Sequence, residues 1–191
     1  MDKLGEKIGF FAFFFTVMTI SGSPHPLVLA FCYIIHEAGH IFFAKIQKVP
    51  LKKLKIGSFR LSISYDCSAV SYQRELLVCA GGVIFNLLSV LIGALLWRFN
   101  SDALSFFVVC SLSLAIKNIY PISTLDGGRI FRCLFLIIFD EERAQIACKW
   151  LSFVSAFVLW LCAVYAQMIF NSNISLFFIS IFLLVELCLS E

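Results

Sequence analysis

The chain has 191 residues, of which 61% are hydrophobic and 14% charged, and a net charge of +3; its mean hydropathy is +0.95. That much apolar surface cannot be clothed in polar groups, so the composition predicts an integral membrane protein whose spans consume nearly all the chain, as a single domain over 1–191. It excludes a soluble recognition domain, and the modest basic charge fits orientation in a bilayer rather than nucleic-acid binding.

Six apolar stretches follow in chain order: 8–20, 27–46, 76–99, 103–139, 150–170 and 174–189. The first is short, and Lys3, Lys7 and the small residues Ser21, Gly22 and Ser23 would also suit a signal peptide. Asp2 and Glu6 favour a retained span. The fourth stretch is too long for one plain span and is broken in the middle. Cationic residues gather on alternate connections: Lys3 and Lys7, then Lys45, Lys48, Lys52, Lys53, Lys55, Arg60 and Arg74, then Arg129, Arg132, Arg143 and Lys149. The positive-inside rule therefore places these loops and both termini in the cytoplasm, with Arg98 on the opposite side. Between the second and third stretches, residues 54–65 alternate: Phe59, Leu61, Ile63 and Tyr65 share one face, and Arg60, Ser62 and Ser64 the other. The alternation predicts a half-buried strand at the cytoplasmic surface, an amphipathic linker on headgroups being the other reading. The eight cysteines form no CxxC pair and read as small buried hydrophobes.

Within the second stretch lies His36-Glu37-Ala38-Gly39-His40. On a helix, side chains four apart share a face one turn above each other, so both imidazoles reach one ion at about 2.0–2.1 Å, with Glu37 beside them. Ionisable groups are costly at membrane depth and mark function there. His25 sits in a Pro-flanked loop and reads as a solvated or interfacial residue.

A catalytic ion needs a third protein ligand and an open position for water. The carboxylates available are Glu75, Asp102, Asp126, Asp140, Glu141, Glu142 and Glu186. Asp126 is the strongest, because it stands at the break of the fourth stretch, where Pro121 removes a backbone donor and Gly127-Gly128 permits tight turning. Irregular backbone at that depth is tolerated where it lines a wet cavity. Glu142 is the runner-up, in an Asp140-Glu141-Glu142 helix start that reads more naturally as a solvated cap.

Three motifs carry a resemblance to the site-2 protease family of intramembrane zinc metalloproteases. His36 to His40 matches the family's HExxH. Asn118, Pro121 and Leu125-Asp126-Gly127 match its second hallmark. Gly82-Val83-Ile84-Phe85-Asn86 resembles its Gly-Pro-x-x-Asn, with Val83 in place of proline. The resemblance covers residues 27–139, taken as the catalytic core, and the small size is most like the sporulation-type branch that processes membrane-tethered transcription-factor precursors. It implies that His36, His40 and Asp126 hold one Zn2+ and that Glu37 is the general base; Asn118 is the expected amide donor to substrate or oxyanion, and Asn86 either faces the cleft as well or packs between helices. The resemblance also implies a bacterial cell membrane, a cytoplasm-facing site, and a membrane-tethered protein substrate. Room is left for a membrane regulatory partner but not for a PDZ or nucleotide-binding domain, and oligomeric state is unspecified. Lys117 is read as snorkelling to an interface.

The expectation is an all-α polytopic membrane protein of about six transmembrane helices, the fourth broken at the site, with a small β element between helices two and three. Its expected activity is zinc-dependent intramembrane endopeptidase. The alternatives are a membrane zincin with a glutamate third ligand, a non-catalytic zinc-binding scaffold, and a transporter. The intact Glu37 weighs against the scaffold, and the lack of repeated broken helices against the transporter.

Overall fold

The computed structural model describes residues 25–56, 61–65, 70–96, 102–123, 125–170 and 180–181. Its elements are α1 (His25–Ile46), β1 (Leu51–Ile56), β2 (Leu61–Tyr65), α2 (Tyr72–Leu95), α3 (Asp102–Ile119), α4 (Asp126–Ile138) and α5 (Glu141–Phe170). Four helices are long and apolar enough to cross a bilayer: α1 with 22 residues, α2 with 24, α3 with 18, and 29 residues of α5. They carry large apolar side chains such as Ile34, Leu91, Trp150 and Met168 outward, the surface of an integral membrane protein solvated by lipid. The six expected spans are thus four among the described residues; those expected at 8–20 and, apart from residues 180–181, at 174–189 lie outside them.

The fourth apolar stretch resolves into two helices of unequal reach. α3 is of spanning length, but the 13 residues of α4 extend only about 20 Å, short of a hydrocarbon core of about 30 Å. The helix stops at Ile119, two residues before Pro121, whose ring disfavours helical backbone in the residue preceding it.

Two local expectations change. His25 opens α1 instead of lying in a loop, since Pro26 is tolerated in a first turn whose N–H groups have no helical partner. The His25 ring stands edge-on to Phe106 with centroids 4.2 Å apart. The single strand expected over 54–65 is an antiparallel hairpin, Ile56 pairing with Leu61 and Leu54 with Ile63. In sequence, the turn-forming pair Gly57-Ser58 lies between the two paired segments.

The chain divides into two compact units, residues 1–117 and 118–191. In the first, α1 ends in a Schellman-type turn: Val49 N donates to Ala44 O at 2.9 Å and Lys48 N to Lys45 O at 3.2 Å. Lys48 takes the left-handed conformation with φ 55°, and Val49 packs with Ala44 and Val78. The closest approach is between α1 and α2. A Cβ on Gly39 would overlap the carbonyl of Gly81, and one on Gly81 would lie 2.6 Å from Gly39 O. Without a hydrophobic effect between helices in lipid, such small-residue crossings supply the packing. Cys32 links α1 to α3: its Sγ donates to Phe107 O at 3.7 Å and accepts from Ser111 Oγ at 3.4 Å.

In the second unit, α5 holds the connection between α3 and α4. Tyr120 Oη donates to Ser155 O at 3.0 Å, Ser123 N donates to Ser152 Oγ at 3.1 Å, and Ile122 and Leu125 pack on Ala156. One main-chain donor of the broken segment, Ser123 N, is thus held by α5, the kind of protein support that irregular structure at membrane depth requires.

Gly81→Val is expected to destabilise the protein by about 1–3 kcal/mol through overpacking at the α1–α2 crossing, while Leu87→Ala, at an outward-facing position, changes little. Thermal unfolding in detergent micelles measures both; wild-type stability in Gly81→Val would contradict the crossing.

Candidate metal centre

His36 and His40 lie one turn apart on α1 and are 2% and 6% exposed. Their Nε2 atoms are 3.2 Å apart. Two nitrogens about 2.0–2.1 Å from one tetrahedral ion stand about 3.3–3.4 Å apart, so the pair has nearly the spacing of two ligands on a shared cation.

The protonation pattern of His40 agrees with that role. Its Nδ1 is 2.7 Å from Val78 O, and since a carbonyl can only accept, Nδ1 carries the proton. Nε2 is left with its lone pair toward His36. An outward Nδ1–H held by a carbonyl, with Nε2 presented to the centre, is the usual state of a metal-ligating imidazole.

The far side of His36 is occupied by Asn86, whose Nδ2 is 3.1 Å from His36 Nδ1. Asn86 is fully buried, and its Oδ1 has no hydrogen-bond partner among the described residues. Between these two contacts lies Gly82. A Cβ there would sit 2.5 Å from both His36 Cε1 and His40 Nε2. Val78, Gly82 and Asn86 are spaced by four, so they form one stripe of α2 facing the histidine stripe of α1. The carbonyl holds one ring, the amide meets the other, and the missing side chain makes room for both. Glu37, half-buried, follows His36 on α1.

Asn118 and Asp126 belong to the second unit. Asn118 is buried in the last turn of α3, and Asp126 is 8% exposed in the first turn of α4. A carboxylate charge there is favoured by the helix dipole. A Cβ at Gly127 would overlap the carbonyls of Ile119 and Tyr120, and one at Gly128 the carbonyl of Ile122. The glycine pair thus lets the connection fold tightly onto the start of α4. Glu142, the other carboxylate considered as a ligand, is exposed in the first turn of α5, as is Lys117 in the last turn of α3.

The structure brings His36, His40 and Asn86 into contact. Sequence reasoning missed the Val78 carbonyl, because a backbone acceptor leaves no mark in side-chain identity. It also missed the Gly39–Gly81 contact, although a glycine inside the histidine motif and the Gly81-Gly82 pair were visible signals.

Residues 97–162 match the family model of Peptidase family M50, a segment that contains Asn118 and Asp126 but not the histidines. The fold is similar to that of a site-2 protease from Methanocaldococcus jannaschii, with a TM-score of 0.63 and 18% identity over 93% of this chain and 84% of that one. No curated protein matches the chain in sequence.

Gly82→Ala puts a methyl group against both imidazoles and is expected to weaken Zn2+ binding about 10-fold or more, the scale of effects that disturb ligand orientation. Competition with a chromophoric chelator measures the affinity; an unchanged value would show that the rings do not bind through the face that Gly82 touches.

Proposed function

We propose that this protein is a zinc-dependent intramembrane endopeptidase that cleaves a membrane-tethered protein near the cytoplasmic face. The observation that carries the reading is the convergence of two buried imidazole Nε2 atoms, one with its Nδ1–H held by a backbone carbonyl, beside Glu37 on a helix apolar enough to span a bilayer. The match to a peptidase family over the segment containing Asp126 supports it. The His36–His40 arrangement fits a zinc ion, and Asp126 is proposed as the third ligand, since Glu142 is exposed.

Bound zinc would polarise a peptide carbonyl and lower the pKa of water toward about 7. Glu37 accepts a proton from the attacking water as its oxygen bonds to the carbonyl carbon. The same carboxyl returns that proton to the amine as the C–N bond breaks. The Asn118 amide donates to the developing oxyanion.

A helical substrate hides its carbonyls in its own hydrogen bonds and must unwind before it is cut. The two-stranded hairpin offers outer strand edges, and we assign one of them to pairing with the unwound segment. The substrate class is a membrane-tethered transcription-factor precursor or regulator, a reading that rests on the motif resemblance. A zinc-binding membrane scaffold without activity is the competing reading.

Glu37→Gln is expected to keep its zinc and lose about 10²–10⁴-fold in cleavage rate. Comparative membrane proteomics of cells carrying each form should reveal a precursor that accumulates only in the variant; normal proteolysis by Glu37→Gln, or no precursor, favours the scaffold. Asp126→Ala is expected to lose the metal and Glu142→Ala to retain it, by elemental analysis; the opposite pattern reassigns the third ligand. Proline at Leu54 or Ile63 is expected to slow cleavage with zinc content unchanged, and undiminished turnover in both would remove the strand-pairing step.

A further inference from the structure

The role of Asn86 is decided by which atom it turns toward His36. With Nδ2 donating, as the 3.1 Å contact stands, His36 Nδ1 must accept, and the ring's proton sits on Nε2. That proton points at His40 Nε2, 3.2 Å away, and closes a hydrogen bond where an ion would go. In this state Asn86 Oδ1, at a position of full burial, has no hydrogen-bond partner among the described residues.

A half turn of the amide about its Cβ–Cγ bond exchanges the two atoms, which are equal in size. Oδ1 then accepts from His36 Nδ1–H, and both Nε2 atoms present lone pairs to the same point. Two lone pairs that close repel unless a cation lies between them, so the ion and this amide orientation select each other. The result is symmetric support from α2: the Val78 carbonyl holds His40, and the Asn86 carbonyl oxygen holds His36.

We infer that Asn86 is a positioning residue for the metal centre, its Oδ1 fixing His36 in the tautomer that ligates through Nε2. It acts through His36 and does not act as a donor to substrate. The inference rests on the zinc reading of the His36–His40 pair. Gly82 explains why a short side chain suffices: with no Cβ between the helices, α2 comes close enough for asparagine to reach the ring.

The test compares Zn2+ affinity, by chelator competition on purified protein in micelles, for wild type, Asn86→Leu and Asn86→Asp. Leucine keeps the volume and removes the acceptor; aspartate keeps the acceptor. Loss of about 10–100-fold in Asn86→Leu, with Asn86→Asp close to wild type and helical content unchanged in both, is the expected result. A helix-packing role gives the reverse order, leucine tolerated and aspartate damaging, and overturns the inference. Equal affinity in wild type and Asn86→Leu overturns it alone, whereas a wild type without zinc affinity takes the proposed function down with it.

Discussion

The close approach of α1 and α2 at Gly39, Gly81 and Gly82 is the constraint on which the centre depends. Each imidazole needs something to hold its outer nitrogen, and in a membrane helix few groups are available to do so. Because a Cβ at any of these glycines would strike the opposing backbone or the rings, the helices meet at a distance where a main-chain carbonyl and a short amide serve. Any residue that pushed them apart would leave two buried histidines without orientation. The same contact sets helix packing and the geometry of the histidine pair.

The second unit solves a different problem, presenting a carboxylate at a helix start that follows non-helical backbone. Pro121 stops α3 early, the connection is tied to α5 through Tyr120, Ser123 and Ser152, and Gly127 and Gly128 let it fold tightly onto the start of α4. Asp126 therefore stands in a first helical turn on a supported loop. Such support matters because an unsatisfied peptide group at membrane depth costs several kcal/mol.

Much of this was legible in side-chain identity. The histidine pair reads directly from its spacing, since four residues is one helical turn, and the break around Pro121 reads from a missing donor followed by paired glycines. The hairpin was less legible, although the apolar alternation changes phase between Ile56 and Phe59, at the turn-forming pair Gly57-Ser58. Least legible was the stripe of Val78, Gly82 and Asn86. A carbonyl contributes no letter, a glycine contributes by absence, and the asparagine's partner depends on how two helices cross. Asn86 consequently looked like a residue for substrate or packing, while its contact is with a histidine nitrogen.

X-ray absorption at the zinc K-edge of the purified protein reads the scatterers around the ion without reference to activity. A low-coordinate site with two imidazoles and light oxygen or nitrogen neighbours at about 2.0–2.1 Å is expected, with imidazole scattering that disappears in His36→Ala and His40→Ala. Zinc bound with no imidazole signal, or one that survives both substitutions, would contradict the two-histidine centre.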